Sequence, residues 1–198
     1  MNNGLFGKGK GKILECFYKN KFKELYFSEI LRETLLTQNT TLKHLDNLQK
    51  NNLVISTKNI AHTFYRINSK SQLMYAILAY FDYKRLDNLP SSRKRAIIEF
   101  VEAAKPLIAV VFGSTAKKTF TEESDIDMLL VFNRKEEISD KVIKDIEATT
   151  GVTIQTFVID FEGFKEQIAM EEDKVVTHAI KTGFVVTGHN YFYKEALK

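Results

Sequence analysis

Ile108-Ala-Val-Val-Phe-Gly-Ser-Thr-Ala-Lys-Lys-Thr-Phe-Thr-Glu-Glu-Ser-Asp-Ile-Asp-Met-Leu-Leu-Val-Phe132 reads as a buried strand, a Gly-Ser turn, a polar loop and a second buried strand. Apolar residues run unbroken from Leu107 to Phe112, as in a strand covered on both faces, and Gly113-Ser114 stops the run where a helix would begin. Gly113 leaves the backbone open to a close approach by a ligand. Ten residues separate Ser114 from Asp125-Ile126-Asp127. Side chains alternate across a strand, so Asp125 and Asp127 share one face while Ile126 points into the core. Two neighbouring carboxylates repel each other. Such a pair is tolerated best where a divalent cation neutralises it, and carboxylate oxygens at this spacing suit Mg²⁺ that also holds substrate phosphates. A buried strand ending in an acidic turn would explain one Asp, but not the Gly-Ser turn, the separation and the pair together.

The pattern Gly-Ser, ten residues, Asp-x-Asp resembles the minimal nucleotidyltransferases of the DNA polymerase β superfamily. The resemblance implies an α/β nucleotidyltransferase fold with a mixed sheet. It further implies that Gly113 and Ser114 hold a nucleoside triphosphate and that Asp125 and Asp127 are the catalytic, metal-binding pair. Relatives often carry arginines just after Gly-Ser. Here Thr115 and Lys117 follow, and Lys117 or Lys118 takes the part of neutralising triphosphate, unless both are solvated surface.

Charge divides the chain. Residues 1–105 hold 18 Lys and Arg against 9 Asp and Glu, net +9, while residues 106–198 hold 11 against 16, net −5. A basic amino-terminal half suggests a polyanionic partner, and the acidic half carries the candidate metal ligands. With 198 residues, 44% of them hydrophobic, two small domains can each bury a core. The boundary is placed at Asp87-Asn-Leu-Pro-Ser-Ser92, giving domains 1–89 and 90–198. No run approaches the roughly 18 apolar residues of a membrane span and no secretory core opens the chain, so a cytoplasmic protein is expected. The single Cys16, among Ile13, Leu14 and Phe17, reads as a buried structural thiol.

The opening segment fits part of a phosphate loop through Gly4, Gly9 and Lys10, but Gly11 stands where Ser or Thr should follow and no buried strand precedes it. It is read instead as a mobile basic arm whose Lys8, Lys10 and Lys12 suit either a nucleic acid backbone or a solvated terminus. Three helices are expected next. The first carries Ile13, Leu14 and Phe17, and the second starts after Ser28 as its cap. The third, Thr40–Lys50, buries Leu42, Leu45 and Leu48 and ends at Asn51-Asn52. A hairpin follows, Leu53–Thr57 with Phe64–Asn68. This order resembles the winged helix of prokaryotic transcription regulators, a mainly α domain with a β-hairpin wing. The resemblance implies double-stranded DNA contacts through Thr40, Thr41, Lys43, His44 and Asn47 on the third helix, with Lys58 and Arg66 on the wing. A winged helix used for protein contact is the alternative. Residues 70–88 read as a helix apolar on most faces, which needs cover from the second domain or from a symmetry mate; a homodimer is the preferred reading.

Beyond the second strand, a helix over Ser139–Thr150 ends at Gly151, and Val152–Ile159 is a strand. In active relatives this strand brings a third carboxylate to the Asp pair. Here Gln155 is the residue expected at that position, and Gln cannot act as a base at neutral pH. Phe164–Thr182 reads as helical, with His178 a structural residue, before a closing strand at Phe184–Thr187. Two functions fit. One is a Mg²⁺-dependent enzyme moving a nucleoside monophosphate, AMP from ATP, to an acceptor hydroxyl; related free-standing domains act as antitoxins that attach AMP to a tyrosine of a HEPN-type toxin. The other is a transcription regulator whose second domain has lost catalysis and serves as a nucleotide sensor or dimerisation module.

Overall fold

The computed structural model describes residues 7–59, 62–134 and 138–198. By internal contacts the chain divides into two compact units, Met1–Phe81 with Leu197–Lys198, and Asp82–Ala196.

The first unit opens with α1 (Lys8–Lys19), which buries Ile13, Leu14, Cys16, Phe17 and Tyr18. Lys8, Lys10 and Lys12 therefore stand on a helix, where the sequence suggested a mobile arm; Gly4 of the phosphate-loop pattern lies outside the described residues. Burial pushes the Cys16 thiol up to about 12, with Glu33 beside it adding to the effect, so it stays protonated as a structural thiol should. A short strand that the sequence did not reveal, β1 (Leu25–Tyr26), leads into α2 (Phe27–Thr34). The Glu29 carboxylate accepts from the Tyr26 N–H at 2.8 Å, so this helix starts before Ser28, which caps nothing. Next comes α3 (Gln38–Lys50), capped by Thr37, whose hydroxyl accepts from the Thr40 N–H. Asn52, at φ 55°, takes the left-handed turn expected of it after the helix. The hairpin follows as β2 (Val54–Lys58) and β3 (Thr63–Ile67), and β1 adds to β3, giving an antiparallel sheet in the order β1-β3-β2.

Helix α4 (Gln72–Asp87) buries Met74, Ile77, Leu78 and Phe81 on one side and exposes Leu73, Tyr80 and Tyr83 on another. It is followed after three residues by α5 (Ser91–Ala104), and Leu86 and Leu89 join the core of the second unit. The segment read as a linker is thus anchored by a buried leucine at its centre. The contact division lies within α4, whereas Pro90 and the composition change place the boundary after residue 89.

The second unit is built on β4 (Ile108–Phe112), β5 (Ile126–Phe132), β6 (Ile154–Asp160) and β7 (Phe184–Thr187), in the order β6-β5-β4-β7. β4 runs antiparallel to both β5 and β7, and β5 runs parallel to β6, so the sheet is mixed. Between β4 and β5 lies the single turn α6 (Gly113–Lys117); α7 (Asp140–Thr150) precedes β6 and ends at Gly151, φ 69°. One sheet face, with Ala109, Val111, Ile126, Met128 and Leu130, packs on Ala96, Ile97 and Phe100 of α5 and Ile146 of α7. The segment expected to be helical is so in two pieces, α8 (Phe161–Met170) and α9 (Lys174–Thr182). Glu171 at φ 52° breaks the run, and Asp173 restarts it by accepting from the Val175 and Val176 N–H groups. A last helix, α10 (His189–Ala196), was not legible in the sequence; its buried Tyr193 donates to the buried Asp82 carboxylate. Among the described residues no helix is long and apolar enough to cross a membrane.

Candidate nucleotide site

Strand β4 brings Phe112 level with Asp127 of β5, and Asp127 is in turn level with Gln155 of β6. These three make one row across the sheet, at the end where β4 finishes and β5 and β6 begin. Ile126 is 0% exposed, which fixes the register: a one-residue slip would turn Asp127 into the core. Asp125 precedes the strand and is exposed, while Asp127 is half-buried. Burial, then the charge of Asp125, raises the Asp127 carboxyl above the usual aspartate range, and nearby His178 acts in the opposite sense. The two acids are close enough to feel one another, as the sequence spacing required.

Gly113 follows Phe112 with φ +65°, and a Cβ there would overlap the Asp127 carboxylate. Any other residue would be strained in its backbone and would displace the acid. The close approach expected of a ligand at Gly113 is made, within the protein, by Asp127. Ser114 is half-buried in α6 directly after it. Lys117 ends α6 and Lys118 follows in a left-handed conformation at φ 59°; both are exposed.

Gln155 faces Asp127 in register, so the position opposite the Asp pair on β6 holds an amide. The nearest acid on that strand, Asp160, is level with Phe132 at the far end and caps α8 by accepting from the Gly163 N–H at 2.7 Å. Among the described residues no group of three or more His, Cys, Asp or Glu is assembled to hold a metal. A pair of carboxylates with the remaining positions left to water and phosphate oxygens still fits Mg²⁺, which retains waters and is held through one or two acids.

Residues 94–190 match the family model described as nucleotidyltransferase domain. This segment, just under half of the chain, is similar to nucleotidyltransferase domains. Domains of this family generally use a nucleoside triphosphate and a divalent metal, in keeping with the Asp125–Asp127 pair. No curated protein and no solved structure matches the chain.

Two residues beside the Asp125–Asp127 pair have no functional role implied by the sequence. His178 of α9 lies edge-on to Phe112, ring centres 6.0 Å apart, on the face that carries Asp127. Arg93 of α5 is 3% exposed and hydrogen-bonded into the segment between Ser114 and Asp125. A signal for Arg93 exists: it shares the helical stripe of Ala96, Ile97 and Phe100, all buried.

In the first unit, not all of the residues expected to face DNA are exposed. Thr41 is 0% exposed and Leu42 is 48% exposed, the reverse of the expectation. With α3 starting at Gln38, the buried stripe is Thr41, Leu45 and Leu48, spaced by four and three residues, and Leu42 falls off its edge. Lys43 and Asn47 are exposed, Thr40 and His44 half-buried. The His44 ring lies against Gly9 of α1, where a Cβ would collide with it. Partial burial lowers the His44 pKa, with Lys10 and Lys43 contributing in the same sense. Lys58 is exposed at the end of β2, and Arg66 on β3 pairs with Glu24 at 3.4 Å.

Proposed function

We propose that the chain joins a winged-helix DNA-binding domain to a Mg²⁺-dependent nucleotidyltransferase that moves AMP from ATP to an acceptor hydroxyl. The observation that carries this reading is the row Phe112–Asp127–Gln155, with Gly113 against the Asp127 carboxylate and Asp125 next in line. In the transfer, the acceptor oxygen bonds to the α-phosphorus, the bond to the β-phosphate breaks, pyrophosphate leaves and the hydroxyl proton passes to solvent water. Asp125 and Asp127 would hold the cation, which supplies neutralisation of phosphate charge and alignment of the attack. Gly113 and Ser114 bind the triphosphate, and exposed Lys117 and Lys118 add positive charge beside it. A hydroxyl on a partner protein, such as a HEPN-type toxin, is the favoured acceptor.

The element order α1-β1-α2-α3-β2-β3, with β1 closing a three-stranded sheet on the hairpin, supports the winged-helix reading of the first unit. On that reading Lys43 and Asn47 of α3 and Lys58 and Arg66 of the hairpin meet DNA. The Leu73, Tyr80 and Tyr83 stripe of α4 supports a homodimer. Gln155 opposite Asp127 favours a second reading, a regulator whose nucleotidyltransferase domain binds nucleotide without turnover, because an amide cannot draw a proton from the acceptor.

Calorimetric titration of ATP with and without Mg²⁺ tests the site. Wild type should bind ATP more tightly when Mg²⁺ is present, and Asp125→Asn with Asp127→Asn should abolish that difference. Equal binding by the two proteins would make the acid pair structural.

A further inference from the structure

The ten residues between Ser114 and Asp125 fold back so that Gly113 and Asp127 come together, and one buried side chain engages them at both ends. Arg93 stands on α5 just before the matched nucleotidyltransferase segment and is 3% exposed. Its Nη1 donates to the Thr115 hydroxyl at 3.1 Å, and its Nη2 donates to the carbonyls of Thr121, at 2.9 Å, and Ser124. The guanidinium also covers the Phe120 ring, 4.4 Å from its centre. Thr115 follows Ser114 and Ser124 precedes Asp125, so Arg93 grips the residue after the Gly-Ser turn and the residue before the acid pair. The Thr121–Ser124 turn is itself closed by the Thr121 N–H donating to the Ser124 hydroxyl at 2.9 Å.

We propose that Arg93 is the positioning residue of this site, a buried guanidinium that fastens the 115–124 segment at both ends and so holds Asp125 beside Asp127. This rests on the reading of the Asp pair as a nucleotide and metal site. An apolar anchor would fill the same space, but only a planar fork of donors satisfies a hydroxyl and two carbonyls at once. Burial of the cation works against its charge, and the nearby Asp125 carboxylate works in its favour. A lysine ammonium lacks the fork geometry and cannot span the three acceptors.

The test uses the full chain and two variants, Arg93→Lys and Thr115→Val, each read by Mg²⁺-dependent ATP affinity, thermal unfolding and tryptic cleavage after Lys117 and Lys118. Arg93→Lys should lose at least about tenfold of the Mg²⁺-dependent affinity and be cleaved faster at the two lysines, with a smaller loss of ATP binding when Mg²⁺ is absent. Thr115→Val, which removes one acceptor and no charge, should fall between that variant and wild type. A lowered melting temperature with unchanged Mg²⁺ dependence and unchanged cleavage would make Arg93 an ordinary core residue and overturn the proposal. Should Arg93→Lys fail to fold, a Thr115→Val protein equal to wild type in both readouts overturns it equally. Wild type showing no Mg²⁺ effect at all would instead sink the metal reading of Asp125 and Asp127, a different outcome from a lysine variant that binds like wild type.

Discussion

Asp127 bears a cost in the free protein that a bound cation would remove. Its carboxyl is raised by burial and by Asp125, so the folded chain holds that proton more tightly than the unfolded chain does. Stability from this group therefore falls as pH rises from the ordinary aspartate value of about 3.8 to the higher folded value, and stays lower above it. Asp127→Asn should accordingly raise the melting temperature at pH 7 in the absence of metal, with the gain disappearing below that window. The same variant should lose Mg²⁺-dependent ATP binding. Thermal unfolding of both proteins from pH 3 to 8 checks the first point; a variant that is less stable than wild type at neutral pH would show that the carboxylate is held by favourable partners. Acidification should also release Mg²⁺ from wild type at a higher pH than an ordinary aspartate pair would allow, because protonated Asp127 cannot bind a cation.

At the level of elements, the sequence is most legible where hydrophobic pattern and turn chemistry agree. Leu107 to Phe112, Gly113, and Ile126 flanked by two acids give the strands and the turn of the site, and Gln155 is recognisable as the residue opposite Asp127. What stays hidden are features settled by position rather than pattern. Two residues, Leu25 and Tyr26, form a strand only because β3 is there to pair with them. Glu171 carries no breaker chemistry, yet it takes a left-handed conformation that splits α8 from α9. Arg93 looks like its exposed neighbour Arg95, which pairs with Glu99 at 2.7 Å, until its place on the apolar stripe is noticed. The third helix shows the same limit, since Thr41, Leu45 and Leu48 share one stripe of the helix while Leu42 drifts off it. Leu45→Ala should cost about 2–5 kcal/mol, as for a fully buried leucine, whereas Leu42→Ala should stay within about 0.5 kcal/mol. Denaturant unfolding of the two variants measures this. Equal losses would mean that Leu42 is covered, as in a dimer or complex.

For the whole molecule, the opposed charges of the two halves suit them to different partners, which is a matter for measurement. If the basic half makes about 6 phosphate contacts per dimer, log affinity for DNA should fall by about 5 per log unit of salt. Lys43→Ala and Arg66→Ala should weaken binding, although Arg66 already shares its charge with Glu24. Asp127→Ala should leave DNA binding unchanged, because the acid pair belongs to the other unit. A flat salt response removes nucleic acid from the account and leaves the first unit as a protein-contact module. The central claim concerns the second unit, and it is tested most directly by supplying ATP labelled at either the α- or the γ-phosphate, with Mg²⁺ and cell extract. The account predicts that a discrete acceptor takes label from the α position only, and that Asp127→Asn is silent. Label from the γ position, transfer surviving the loss of both Asp125 and Asp127, or no labelled acceptor at all would contradict it.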